Sequence, residues 1–173
     1  RDGSKNMINA YATEFMDIVD NNFMIYAIND YPVRLISVDS LASSGPKGDL
    51  SKIKLEVLDN ILNQVPDKPS LIFMHHPPFD VSNFGAPIVE YNRPTSIKKF
   101  YDVLKKYKQI VGIFSGHIHR SFTKDIYSFK ANVVPSIALD LSHEESSVCQ
   151  KRYRPIYHLH KIEIGATFKT IPR

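Results

Sequence analysis

The chain is 173 residues long, 43% of them hydrophobic and 23% charged, with a formal net charge of +4, a balance that supports one cored domain and excludes a disordered chain. No apolar run approaches the roughly 18 residues of a membrane helix, and no basic, then apolar leader opens the sequence, so it reads as a soluble, cytoplasmic protein. The positive charge favours anionic substrates in general, but the basic cluster Lys151, Arg152 and Arg154 lacks the interleaved aromatics of a nucleic-acid module, and the single cysteine, Cys149, has no internal disulfide partner.

Neither a repeat nor a low-complexity linker divides the chain, which predicts one domain over residues 1–173. In chain order, Met7, Ala10, Tyr11, Phe15 and Ile18 recur at helical spacing. Phe23 to Ile28 and Val33 to Val38 then read as a hairpin turned by Asn29-Asp30-Tyr31-Pro32. Ser51 is placed to cap a helix that turns Ile53, Val57, Leu58, Ile61, Leu62 and Val65 inward and stops before Pro66. The short apolar run Ser70 to Met74, of the kind buried on both faces, ends at His75-His76-Pro77-Pro78. The arrangement recurs: Pro94 opens a helix carrying Ile97, Phe100, Tyr101 and Leu104 inward, and the strand Ile110 to Phe114 ends at Ser115-Gly116-His117-Ile118-His119. Val133-Val134 and Tyr157 to Ile164 read as further strands of an α/β fold.

Functional groups in such sheets collect beyond the carboxyl ends of the strands, and here two strands in succession deliver imidazoles there. Imidazole suits Zn, Fe and Mn, and a site needs several ligands held on rigid elements. His117 and His119 are one residue apart, so an extended backbone points both the same way; Pro77 and Pro78 stiffen the loop behind His75 and His76. His158 and His160 share that spacing inside a strand pattern and read as structural or surface residues. His143, Glu144 and Glu145 fit either a loop metal group or a solvated loop, and Phe79 to Asn92 either a substrate-contacting cover or ordinary loop packing.

The segments Met74-His75-His76-Pro77-Pro78 and Ser115-Gly116-His117-Ile118-His119-Arg120 together resemble the last two metal-binding motifs of calcineurin-like metallophosphoesterases, nearest the class III cyclic-nucleotide phosphodiesterase branch. The resemblance extends to Val33–Ser40, Gly48–Leu62, Val133–Ser136 and Tyr157–Glu163. It implies the C-terminal half of a four-layer α-β-β-α sandwich with mixed sheets, and hydrolysis of phosphodiesters at two divalent or mixed-valence ions of Mn, Fe or Zn. It further implies that His75 and His117 bind one ion and His119 the other, that His76 stands behind the ligands or faces substrate, that Arg120 meets a phosphate oxygen, and that Asp39 is structural at a strand end.

The sequence departs from the family pattern in lacking Asp-x-His, Gly-Asp-x-x-Asp and Gly-Asn-His-Asp/Glu; Gly48-Asp49 runs on into Leu50-Ser51-Lys52 and reads as a turn into a helix. Two cations need bridging carboxylates to sit together, and imidazoles alone do not hold such a pair. The expectation is therefore a truncated chain, inactive by itself, whose unpaired strand edges and bare inner face favour a homodimer or another association. A non-catalytic binding or assembly module is the competing expectation.

Overall fold

The computed structural model describes residues 23–81, 91–135, 157–162 and 168–172. The helical pattern at Met7–Ile18, the group at His143–Glu145, Ser136, Cys149, the basic cluster at 151–154 and most of the 79–92 segment lie outside the described residues. Strands β1 (Tyr26–Ile28), β2 (Arg34–Val38), β3 (Ser70–Met74), β4 (Ile110–Ser115), β5 (Phe122–Ile126) and β6 (Phe129–Val133) form a mixed sheet in the order β1-β2-β3-β4-β6-β5. β2, β3, β4 and β6 run parallel, while β1 and β5 are antiparallel edges. The hairpin expected at residues 29–32 is present, with Ile28 facing Leu35.

Helices α1 (Lys52–Gln64) and α2 (Thr95–Leu104) supply the crossovers into β3 and β4. Ser51 caps α1 as its sequence predicts, accepting the Lys54 N–H at 3.4 Å. The other end of α1 is met by Arg34, which donates to Ile61 O at 2.8 Å, and by Gln109, which donates to Leu62 O at 3.0 Å. A guanidinium is well placed against the partial negative charge of a helix C-terminus. One inward position differs from the expected pattern: Ile53 is 54% exposed and Lys54 is buried in its neighbourhood instead, because Lys54 has a carboxylate partner on the sheet side.

Alternation along the central strands makes two unequal layers. Ile36, Val38, Ile72, Met74 and Ile113 join Leu55, Leu58, Leu62, Phe100 and Leu104 in the main core between sheet and helices. The opposite face carries a smaller cluster of Val33, Leu71 and Phe114 with Leu35, Val111 and Val134 around it. β3 is thus not buried on both faces: Phe73 stacks on Phe114 at a ring separation of 5.4 Å, yet remains 40% exposed. Part of this second face is covered by the antiparallel pair β7 (His158–Ile162) and β8 (Phe168–Pro172), with His160 lying 4.2 Å from Phe114 between ring centres. Helices, main sheet and second sheet form successive layers of an α/β architecture.

Candidate metal centre

The parallel register places Met74 opposite Ser115, so β3 and β4 end level with each other. The loops continue side by side for one more step, where Gly116 N–H donates to His75 O at 3.1 Å. His75 Nε2 and His117 Nδ1 then stand 3.0 Å apart, and one ring nitrogen from each of His75, His76 and His117 falls within 4.8 Å of the other two. The apolar strands set the level; the ladder sets the spacing.

The expected extended segment at His117–His119 is not what forms. Ile118 N–H donates to Gly116 O at 2.8 Å across His117, whose φ of 69° makes this a γ-turn in its rare positive-φ form, and His119 follows at φ 61°. Between these two residues Ile118 is 3% exposed in the main core, so the turn carries an apolar side chain inward while the flanking histidines stay at the cavity. Left-handed backbone on two non-glycine residues is strained local structure of the kind that collects at functional sites.

His75, His117 and His119 line one cavity of about 770 Å³ at the strand ends, together with Asp39, Pro46 and Phe73. The 3.0 Å gap suits two ligands of one ion, since metal–nitrogen bonds of about 2.0–2.1 Å span it at an angle of roughly 95°. His119 lies outside the three-histidine group, and its Nδ1 is buried with no hydrogen-bond partner. A buried, unpaired imidazole nitrogen on a residue that lines a cavity is a donor available to an ion. These observations fit metal-binding residues.

The remaining expected site residues are placed differently from His75, His117 and His119. His76 is fully buried and does not line the cavity; its ring nitrogens lie 3.0 Å from Ser40 Oγ and 2.9 Å from Pro46 O. Arg120 is half-buried after His119 and is not among the cavity residues. Asp39 is the only carboxylate residue lining the cavity among the described residues, and it accepts from Lys54 Nζ at 3.3 Å and from Leu41 N–H at 3.0 Å. Lys54 also donates to Leu41 O and lies 5.2 Å from the Phe23 ring centre, so this cation is satisfied inside the fold.

Two tyrosines support the His-His-Pro-Pro loop: Tyr91, which no sequence pattern singles out, and Tyr101, which the helical pattern marks only as an inward position. Tyr91 OH donates to His76 O at 3.1 Å and is also 3.3 Å from Pro77 O, while Tyr101 OH donates to Pro78 O. Burial pushes the Tyr91 phenol well above its ordinary range and Tyr101 up to about 12, so both remain neutral donors. The His-His-Pro-Pro loop is thus held at three successive carbonyls. The signal in the sequence was indirect: a loop of two prolines has few N–H groups of its own, so its carbonyls must find donors elsewhere.

Beneath β7, His158 Nε2 lies 3.0 Å from Ser121 Oγ and the rings of His158 and His160 are 5.8 Å apart. Burial lowers the pKa of both, and for His160 the neighbouring His158 adds to it. This pair packs one sheet on the other, in keeping with the structural role expected from its strand pattern.

No family model matches the chain. Over 126 residues it is 34% identical to a probable glycerophosphodiester phosphodiesterase, GpdQ, of Arcobacter nitrofigilis, covering 70% of this chain and 45% of that protein. It is 25% identical over 123 residues to a 3',5'-cyclic-nucleotide phosphodiesterase of a Nostoc species, covering 71% and 45%. The chain therefore spans about half the length of the curated relatives it matches. Among solved structures, a dimetal phosphatase from Danio rerio superimposes with a TM-score of 0.56 at 14% identity, over 78% of this chain and 56% of that one, which is a likeness of fold.

Proposed function

We infer function from the premise that this chain is a homologue of the calcineurin-like phosphodiesterases and shares the metallophosphoesterase fold. The protein to which it belongs is a metal-dependent phosphodiesterase, and this chain supplies the imidazole side of a two-ion centre. The observation that carries the reading is the 3.0 Å pairing of His75 and His117 at the level ends of two parallel strands, with the unpartnered Nδ1 of His119 facing the same region. His75 and His117 would hold one ion and His119 the other; Mn, Fe or Zn all suit imidazole. Bound there, such ions would polarise phosphoryl oxygens and lower the pKa of a water held beside them.

The chain's own residues bind and orient. The two proline-stiffened or core-anchored loops fix the ligands, and the apolar wall at Phe73 and Pro46 limits water on one side of the cavity. Asp39 is engaged by Lys54, so the carboxylates that bridge a pair of ions come from elsewhere in the whole protein. The esterified group is glycerol-like or a cyclic nucleotide, the two substrate classes in the relatives' names. The exposure of Phe73 on the second sheet face supports a further reading, in which that face associates with another copy or another chain.

The test has two parts. The 173-residue chain should bind Zn²⁺ or Mn²⁺ weakly, lose that binding in His75→Ala and His117→Ala, and show no appreciable hydrolysis of bis-p-nitrophenyl phosphate. The complete natural protein should hydrolyse it, and a chelator or His117→Ala should abolish the activity. Metal binding indifferent to both substitutions would overturn the assignment.

A further inference from the structure

Three histidine nitrogens within 4.8 Å would ordinarily suggest a three-histidine site, yet one of the rings is differently placed. His76 is fully buried, and Ser40, also buried, reaches it twice: its Oγ accepts the His76 peptide N–H at 3.0 Å and lies 3.0 Å from His76 Nδ1. On the other side of the ring, Nε2 is 2.9 Å from Pro46 O. A carbonyl can only accept, so Nε2 carries the proton. Among the described residues the Ser40 hydroxyl has no other acceptor, and a buried O–H must donate, so it donates to Nδ1. One arrangement satisfies all of these groups: a neutral Nε2–H ring with its lone pair occupied.

We propose that Ser40 is a positioning residue, whose hydroxyl locks His76 in this arrangement and so leaves His75, of the two adjacent histidines, as the ligand facing the cavity. His76 then serves as a wall. Its ring lies 4.9 Å from that of His75 and 4.6 Å from that of His117, centre to centre, and limits how far either can turn. The lock is itself braced, since Ser40 sits between Asp39, which Lys54 engages, and Leu41, whose N–H Asp39 accepts. The proposal rests on the metal-centre reading only for what His75 does; the state of His76 stands on hydrogen bonds alone.

The experiment is two-bond ¹H–¹⁵N correlation spectroscopy of the histidine rings in the metal-free 173-residue chain, as wild type, Ser40→Ala and Ser40→Thr. His76 should show the neutral Nε2–H pattern in the wild type; Ser40→Ala should move its Nδ1 resonance downfield as the lone pair loses its donor, and Ser40→Thr should restore it. An Nδ1–H or doubly protonated His76 in the wild type, or an Nδ1 resonance unmoved in Ser40→Ala, overturns the proposal even if the alanine variant is marginally folded. Titration with Zn²⁺ alone should perturb the His75 ring and not that of His76, with about 10-fold weaker binding in Ser40→Ala, the lower end for loss of a group that orients a ligand. Perturbation of His76 instead of His75 would also overturn it. If no ring responds to Zn²⁺ while the tautomer results hold, the lock stands and the metal-centre reading fails.

Discussion

Replacing Gly48 by alanine should disturb the His75-His76-Pro77-Pro78 loop through a contact that is invisible in the local sequence. A Cβ at this position would lie 2.8 Å and 2.9 Å from two carbons of the Tyr91 ring and 3.0 Å from a third. The ring would have to move by at least about half an ångström, and overpacking of this kind costs about 1–3 kcal/mol. It is not free to move: its hydroxyl is tied to His76 O and Pro77 O, and loosening that hydrogen bond adds about 1 kcal/mol. The total of about 2–4 kcal/mol corresponds to a fall in Tm on the order of 10 °C for a chain of this size. Urea or thermal unfolding measures it, and a double-mutant cycle isolates the cause: in a Tyr91→Leu background the same Gly48→Ala change should cost much less. An effect within about 0.5 kcal/mol, or one equally large without the Tyr91 ring, would refute the steric reasoning.

Three further outcomes follow from the same structure. Lys54→Ala leaves Asp39 buried and without its cation, both side chains being 5% exposed, so chemical denaturation should show a loss of about 3–5 kcal/mol, whereas the double variant Lys54→Met, Asp39→Leu, which removes both charges at once, should cost far less. His158 and His160 have folded-state pKa values below the ordinary 6.5, so the unfolded or undocked form binds protons first; the docking of β7–β8 should be full above about pH 6.5 and weaken as pH falls below it, read as faster amide exchange in β7 at pH 5.5 than at pH 7 after correction for intrinsic rates, with no such change in a His158→Gln, His160→Gln variant. Light scattering at micromolar concentration should show association that diminishes in Phe73→Ser, and a monomer at all concentrations would dismiss the open face as its cause.

Much of what positions the site was legible because it depends on local patterns. The runs at Ser70–Met74 and Ile110–Phe114 announce strands, the helix between them suits a parallel crossover, and the level ends then follow. What escaped depends on partners distant in sequence. Nothing near Lys54 says that it is buried, since its reason is Asp39, fifteen positions away. β5 reads Phe-Thr-Lys-Asp-Ile and is mostly exposed, so only its pairing with β6 makes it a strand. The one-residue spacing of His117 and His119 predicts an extended segment, whereas both residues are left-handed with Ile118 buried between them, a geometry that no local pattern announces. His76 looked equivalent to its neighbour because sequence cannot show which of two adjacent imidazoles a distant serine has claimed.

The burial of Ile118 between the two turn histidines also ties the timing of this site to that of the whole domain. A loop whose middle residue sits in the main core is held at that point, and freeing Ile118 requires the core around it to open. Exchange of the Ile118 amide should then track global unfolding, not local opening.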